Sequence, residues 1–184
     1  MAMLDKIMSS IVLIGMPGAG KSTIGILLAG KLGLEFVDTD TSIEQESGKS
    51  IQELLDQSGY LNVRAVEEDV LLKVATKGKV VATGGSAVYS AAGMAHLKTN
   101  AVTVFLDINI EEVNQRINNF DGRGIVRKPN QTLTELFVER RELYLRYADI
   151  HLKCNNQDIE QCLQQLIKST QPFITYGFNT VSID

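Results

Sequence analysis

Tryptophan, long apolar runs and an excess of positive charge are all missing from this sequence of 184 residues. Aromatic residues make up only 6% of the chain, so a core must be built from Val, Ile, Leu and Ala. No run of about 18 apolar residues occurs, and we therefore expect no transmembrane helix. The opening MAMLDKIMSS carries Asp5 and Lys6 and lacks the three-part pattern of a secretory signal, so none is predicted.

Basic residues do not outnumber acidic ones, because 18 Lys and Arg face 22 Asp and Glu for a net charge of −4. A protein that binds duplex DNA normally carries a basic face, so nucleic acid is not an expected partner. A small anion can still be a ligand, because a local site can be basic on an acidic protein. The apolar share of 44% is enough for a globular core.

Cysteine is scarce as well. Cys154 and Cys162 are the two in the chain, and they lie eight residues apart. The pair therefore indicates neither a disulfide framework nor a zinc site. We interpret both as free thiols and predict a reducing, cytoplasmic location with no membrane partner.

Short apolar runs alternate with helical patterns along the chain. Strands are predicted at 11–14, 35–38, 79–82, 101–106 and 149–152. Helices are predicted at 22–32, 41–47, 51–58, 62–76, 91–98, 110–118, 132–147 and 159–168. Such alternation predicts an α/β fold with a parallel sheet and helices on both faces. The length fits one domain over 1–184, with its core at 9–170 and a loosely attached tail at 171–184.

The segment from Gly15 to Ser22 reads GMPGAGKS and matches the phosphate-loop pattern G-x-x-x-x-G-K-[ST] at every fixed position. A predicted strand precedes it and a predicted helix follows it, as the motif requires. Backbone N–H groups and the helix N-terminus would hold phosphate oxygens. Lys21 would reach the β- and γ-phosphates, and Ser22 would bind Mg²⁺. The weaker alternative is a glycine-rich turn without a ligand.

Two further polar segments follow predicted strands, where ligands bind in open α/β sheets. Asp38 and Asp40 come after the second strand; one could hold Mg²⁺ through water and the other could accept a hydroxyl proton. Asp40 could instead be a helix N-cap. Gly84 and Gly85, which precede Ser86 after the third strand, would let a ligand approach backbone N–H groups, although on this pattern alone an ordinary tight turn is the stronger explanation.

Four arginines complete the candidate set. Arg64 lies on a predicted helix, where Glu67 at i+3 could simply pair with it. Residues 119–131 form a basic segment with Gly, Pro and Asn that we predict to be a mobile lid over the phosphates. Arg116 precedes this segment, Arg123 lies within it and Arg140 follows it. Solvated charges are the alternative for each.

Taken in order, these segments resemble shikimate kinase over about residues 10–168. The matching pieces are GMPGAGKSTIG, FVDTDTSIEQESGKSIQEL, R-x-x-E at Arg64 to Glu67, the pair Gly84-Gly85, a lid arginine, and R-x-x-L-Y-x-x-x-A from Arg140 to Ala148. The resemblance implies a three-layer P-loop fold like that of nucleoside monophosphate kinases, with a five-stranded parallel sheet and a mobile lid. It implies a monomeric enzyme that moves the γ-phosphate of ATP to the 3-hydroxyl of shikimate, a step toward chorismate and aromatic amino acids.

The resemblance also assigns residues to roles. ATP is expected to bind Gly18, Ala19, Gly20, Lys21, Ser22 and Thr23, with Arg116 stacking on adenine and Arg123 reaching the phosphates. Mg²⁺ is expected at Ser22 and Asp38. The substrate is expected at Asp40, Arg64, Gly84, Gly85 and Arg140, with the two arginines on its carboxylate and the two glycines offering N–H groups. Lys21, Asp40 and Arg123 are the expected catalytic residues.

Three positions depart from the family pattern. The third Gly of its G-G-G is Ser86, the aromatic before the substrate arginine is Val63, and its lid sequence R-P-L-L is R-G-I-V at Arg123 to Val126. We expect Val63 to open space beside the acceptor, Ser86 to add a hydroxyl there, and Gly124 to loosen the lid. The alternatives are a different hydroxy acid or polyol as acceptor, a nucleoside monophosphate acceptor, or a non-catalytic nucleotide-binding module.

Overall fold

Five parallel strands form the centre of the computed structural model, which describes residues 10–117, 120, 122 and 124–173. The strands are β1 (Ile11–Ile14), β2 (Glu35–Asp38), β3 (Lys79–Ala82), β4 (Val102–Asp107) and β5 (Ile150–Lys153), arranged in the order β2-β3-β1-β4-β5. Every residue of β1 and β4 is buried, and successive side chains of a strand point to opposite faces. Both faces of the sheet are therefore covered, as predicted.

Helices follow the strands in the expected alternation. They are α1 (Lys21–Leu32), α2 (Thr39–Ser47), α3 (Ile51–Lys73), α4 (Ala91–Leu97), α5 (Ile110–Arg116), α6 (Leu133–Tyr147) and α7 (Ile159–Thr170), with short 3₁₀ turns at Ala87–Tyr89 and Gln171–Phe173. Most predicted bounds differ from these by one or two residues. The sheet order brings the loops after β1, β2 and β3 to one edge, where the phosphate loop lies.

The segment predicted as two helices, 51–58 and 62–76, is α3, in which two helical stretches are joined across a break at Gly59. Helix α3 starts with a capping box at Ser50 and Glu53 and runs to Lys73. Gly59 breaks the helical path inside it, with φ 75° and ψ 168°. A residue with a Cβ rarely adopts that conformation, so glycine lets the chain turn and continue as helix. The second half carries Arg64 and Glu67 toward the sheet.

The two cysteines are paired rather than free. Cys154 directly follows β5 and Cys162 lies in α7, and a disulfide joins them with their Cα atoms 5.8 Å apart. The prediction of free thiols is therefore wrong, because the eight-residue spacing folds back on itself as the chain passes from strand to helix. Among the residues that the structure describes, no helix is long and apolar enough to cross a membrane.

Candidate active site

A cavity of about 470 Å³ lies beyond the carboxyl ends of β1, β2 and β3. Most of the residues predicted for nucleotide and substrate line it. The lining comprises Pro17, Gly18, Gly20, Lys21, Ser22, Thr23, Asp40, Ile51, Thr83, Gly85, Ser86, Arg116, Gly124, Ile125, Val126 and Arg140. One cavity thus contains the phosphate loop together with Asp40, Gly85 and Arg140 of the predicted acceptor set, whereas Arg64 lines a separate cavity.

The phosphate loop has its shape because its glycines adopt conformations that other residues avoid. Gly18 and Gly20 have φ values of 81° and 88°, and α1 begins at the next residue, Lys21. The Lys21 ammonium donates to the carbonyls of Gly15 at 2.8 Å and Met16 at 2.9 Å. Burial lowers its pKa to about 8, while nearby Asp40 raises it. The loop is therefore wrapped around its own lysine at the start of a helix, as an anion site requires.

Ser22 and Asp38 form the predicted magnesium pair. The Ser22 hydroxyl donates to Asp38 Oδ2 at 2.5 Å. A hydroxyl beside a carboxylate offers the oxygen ligands that Mg²⁺ prefers. No group of three or more His, Cys, Asp or Glu side chains able to hold a metal is found within the described part of the chain. Two protein oxygens fit an ion that takes its other ligands from phosphates and water.

Asp38 also decides between the two interpretations of Asp40. Asp38 Oδ1 accepts the backbone N–H groups of Asp40 at 2.9 Å and Thr41 at 3.3 Å, so Asp38 is the N-cap of α2. The interpretation of Asp40 as the cap is therefore wrong, and the Asp40 carboxylate lines the cavity instead. Burial raises its pKa to about 6, against the opposing effect of Lys21. It is a poorly solvated base next to the phosphate loop.

Arg140 is the largest fully buried side chain of the structure, only 1% exposed. It lies on α6, and its Nη2 donates to the carbonyl of Val126, while its Nε has no partner among the described residues. A Cβ at Gly85 would come within 2.7 Å of Arg140 Nη1. Glycine at this turn therefore leaves the room that the guanidinium occupies.

Arg64 lies on α3, its guanidinium against two tyrosine rings. Its Cζ is 3.4 Å from the centre of the Tyr89 ring and 5.2 Å from that of Tyr60. Its Nε and Nη2 are buried and have no hydrogen-bond partner among the described residues. Glu67 accepts a hydrogen bond from Ser86 rather than forming the ion pair with Arg64 that was the alternative. Arg64 therefore presents buried, unused donors.

Known proteins similar to this chain support the family that its motifs indicate. A sequence model described as SKI, shikimate kinase, matches residues 17–171. The chain is 34% identical to a shikimate kinase of Persephonella marina over 161 residues, which is 87% of this chain and 98% of that protein. It is 37% identical to a shikimate kinase of Vibrio parahaemolyticus, over 86% of this chain and 94% of that protein. The chain belongs to the shikimate kinase family.

A solved shikimate kinase from Acinetobacter baumannii, in complex with shikimate, superimposes with a TM-score of 0.82. It is 30% identical, and the match covers 91% of this chain and 95% of that one. The predicted P-loop fold and family are thereby confirmed. So is the predicted class of enzyme, a phosphotransferase that acts on a hydroxyl group.

The structure shows the surroundings of Val63 and Gly124, two of the three departures from the shikimate kinase pattern. Val63 is 1% exposed and lines no cavity described here, so the expectation that it opens the acceptor pocket is wrong. Gly124 has φ 66°, which proline cannot adopt, and its N–H donates to Gln52 Oε1 at 2.8 Å. This hydrogen bond joins the residue after the lid arginine to α3.

Ser86 is the departure with a visible consequence. Its hydroxyl donates to Glu67 Oε2, and both side chains are buried. Burial raises the pKa of Glu67 to about 7, although the Ser86 hydrogen bond lowers it. The sequence interpretation did not include Glu67 in the site; a hydroxyl at a position where the family has glycine was the signal that could have found it.

Gly84 leaves space for its neighbours rather than offering a hydrogen-bond donor to the substrate. Its N–H donates to Thr39 Oγ1 at 2.9 Å, so the expectation that it offers this group to a substrate is corrected. A Cβ at Gly84 would collide with carboxylate oxygens of Asp40 and Glu67. The two acidic side chains can approach this turn only because Gly84 has no side chain.

The nucleotide side extends beyond the phosphate loop. Arg116 ends α5, and its Nη1 donates to the carbonyl of Gly18 at 3.1 Å. Arg116, Gly20 and Thr23 also line a second opening of about 650 Å³ with the loop before α7. Ala19 is buried behind the loop. Arg123, the predicted lid arginine, lies outside the described residues.

Proposed function

We propose that the protein transfers the γ-phosphate of ATP to the 3-hydroxyl of shikimate, giving shikimate 3-phosphate and ADP. The observation that carries this proposal is that Lys21, Asp40 and Arg140 line the same cavity. A phosphate site, a base and a carboxylate-binding cation are the three groups that this transfer needs. Membership of the shikimate kinase family supports the same acceptor.

Asp40 is the proposed base. The acceptor oxygen attacks the γ-phosphorus as its bond to the ADP oxygen breaks, and the hydroxyl proton passes to the Asp40 carboxylate. With a pKa of about 6, Asp40 is ionised at neutral pH and is still more basic than an exposed aspartate. A base with a pKa close to the working pH is the more effective catalyst.

Charge stabilisation is assigned to the phosphate loop. Lys21 remains largely protonated at neutral pH, since burial lowers its pKa only to about 8. In the proposed complex its ammonium leaves the carbonyls of Gly15 and Met16 for phosphate oxygens. Ser22 and Asp38 would hold Mg²⁺, which neutralises phosphate charge when bound. Arg123 is proposed to add a lid cation, and Arg116 to stack on the adenine.

The shikimate carboxylate is proposed to bind Arg64 and Arg140. Guanidinium groups form paired hydrogen bonds with a planar carboxylate, and both side chains have buried donors without a protein partner among the described residues. Asp40 would accept the ring hydroxyls, and Gly85 would offer its backbone N–H group. Arg140 lines the cavity at the phosphate loop, and Arg64 lines a smaller cavity with Glu67, Ser86 and Tyr89. Two cations beside the acceptor residues favour an acidic acceptor over a neutral polyol.

The experiment is a coupled assay of ADP release with Mg·ATP. We would compare shikimate with quinate, other cyclic hydroxy acids and nucleoside monophosphates. Stimulation by shikimate above the others is expected. Stimulation by another acid alone would identify a different acceptor, and ATP turnover that no acceptor stimulates would favour a nucleotide-binding module.

Three further properties are proposed from the family resemblance alone. They are one kinase domain over 1–184, a monomeric state and a cytoplasmic location. The cysteine argument for the cytoplasm no longer supports it, because Cys154 and Cys162 are paired. Gel filtration with light scattering tests the monomer directly.

A further inference from the structure

The ring of Tyr89 lies between the two arginines of the proposed carboxylate clamp. The Cζ atom of Arg64 is 3.4 Å from the ring centre, and that of Arg140 is 5.6 Å away. Both distances are within the range of cation–π attraction, and the shorter one places the guanidinium in stacking contact. One aromatic side chain thus contacts both cations that are proposed to bind the substrate.

The opposite end of Tyr89 is held by a separate network. Its hydroxyl donates to Glu139 Oε1 at 2.7 Å. The other oxygen of Glu139 accepts from Lys128 Nζ and Gln131 Nε2, both at 2.8 Å. Glu139 lies on α6 one residue before Arg140. The ring is therefore fixed through α6 and the loop that precedes it.

Stacking on Tyr89 leaves the edge of the Arg64 guanidinium available. The N–H groups of a guanidinium lie in its plane, so a ring on its face does not occupy them. Arg64 Nε and Nη2 are buried and have no partner among the described residues. A long arginine side chain would otherwise lose considerable rotamer freedom on binding a carboxylate.

We propose that Tyr89 is the positioning residue of the acceptor site, because its ring orders Arg64 beside Arg140 for a carboxylate and its hydroxyl fixes the ring through Glu139. This inference rests on the proposed role of the two arginines in the acceptor clamp. Tyr89 does not touch the reacting atoms in this account. It acts by holding two like charges close together beside one electron-rich ring.

The test is steady-state kinetics with shikimate and ATP varied separately. Tyr89→Leu removes the ring, and we expect the shikimate KM to rise about 5- to 30-fold while the ATP KM changes less than about twofold. Tyr89→Phe keeps the ring and removes only the hydroxyl, so the shikimate KM should stay within about threefold of the wild-type value. An unchanged shikimate KM in Tyr89→Leu would overturn the proposal.

Fluorinated phenylalanines at position 89 guard against a folding defect, since they weaken the ring's negative face without changing its shape. The shikimate KM should rise stepwise with each added fluorine, and a flat series would overturn the proposal. Arg64→Lys separates this inference from the proposed function. If Arg64→Lys leaves the shikimate KM unchanged, the clamp itself is wrong. If it raises the KM and Tyr89→Leu adds its full effect to the Arg64→Lys background, Tyr89 does not act through Arg64.

Discussion

Glu67→Gln is expected to stabilise the protein in alkaline solution and to do little in acid. The Glu67 carboxyl is 2% exposed, and its Oε1 has no hydrogen-bond partner within the described residues. Burial raises its pKa from 4.5 to about 7, and the charge of Asp40 contributes to that rise. Ionised Glu67 is therefore a destabilising group, whose cost the neutral amide avoids.

The size of the effect follows from the shift. Each pKa unit is about 1.4 kcal/mol, so the carboxylate form costs at most about 3.5 kcal/mol once both folded and unfolded states are ionised. The folded pKa lies above the unfolded one, so the contribution of Glu67 to stability is largest below pH 4.5 and is lost as the pH rises through about 7. The advantage of Glu67→Gln should be about 3 kcal/mol at pH 8 and under about 1 kcal/mol at pH 5.

Thermal melting of the protein without ligands measures this difference. For a chain of this length, about 2 kcal/mol between the two pH values corresponds to a change in Tm of about 4–8 °C. Glu68→Gln is the matched control, because Glu68 accepts the Ser90 hydroxyl much as Glu67 accepts that of Ser86. An equal Tm increase for Glu67→Gln at pH 5 and pH 8, or none at pH 8, would refute the reasoning.

Three other substitutions test the geometry of the site. Gly84→Ala should lower the free energy of unfolding by about 1–3 kcal/mol and reduce kcat at least about tenfold, because its Cβ would meet the Asp40 and Glu67 carboxylates. A melting curve and turnover like those of wild type would disprove the contact. Ser22→Ala should raise the Mg²⁺ concentration for half-maximal rate about tenfold or more with the shikimate KM unchanged, whereas an unaltered Mg²⁺ titration would remove Ser22 from the metal site. Arg64→Lys should raise the shikimate KM or lower kcat/KM about tenfold, since lysine cannot make two parallel hydrogen bonds, and unaltered kcat/KM would remove Arg64 from the clamp.

The fold was predictable because its signals are local. β1 is a continuous apolar run that ends in a complete phosphate-loop pattern, and each later strand is bounded by turn residues. Local patterns also placed the ends of most helices within a residue or two. The break in α3 at Gly59 agrees with the prediction of separate helices at 51–58 and 62–76.

The acceptor site was predictable only in part, because its remaining features depend on contacts between distant residues. The sequence indicated Asp40 as a site residue. Its carboxylate is not the N-cap of α2, because Asp38 accepts the N–H groups at the start of that helix. Glu67 becomes part of the site only through Ser86, and Tyr89 only through two arginines on different helices. The disulfide between Cys154 and Cys162 was not predicted for the same reason, since the loop after β5 brings the two residues together.

The most direct test of the account is shikimate-dependent ADP release by wild type and Asp40→Asn, with ATP affinity measured on both. We predict that Asp40→Asn lowers kcat about 10²- to 10⁴-fold while the Kd for ATP changes less than about threefold. Asparagine is as good a helix cap as aspartate, so a capping role would leave turnover intact. Near-normal turnover by Asp40→Asn would contradict the assignment of Asp40 as the base that accepts the hydroxyl proton.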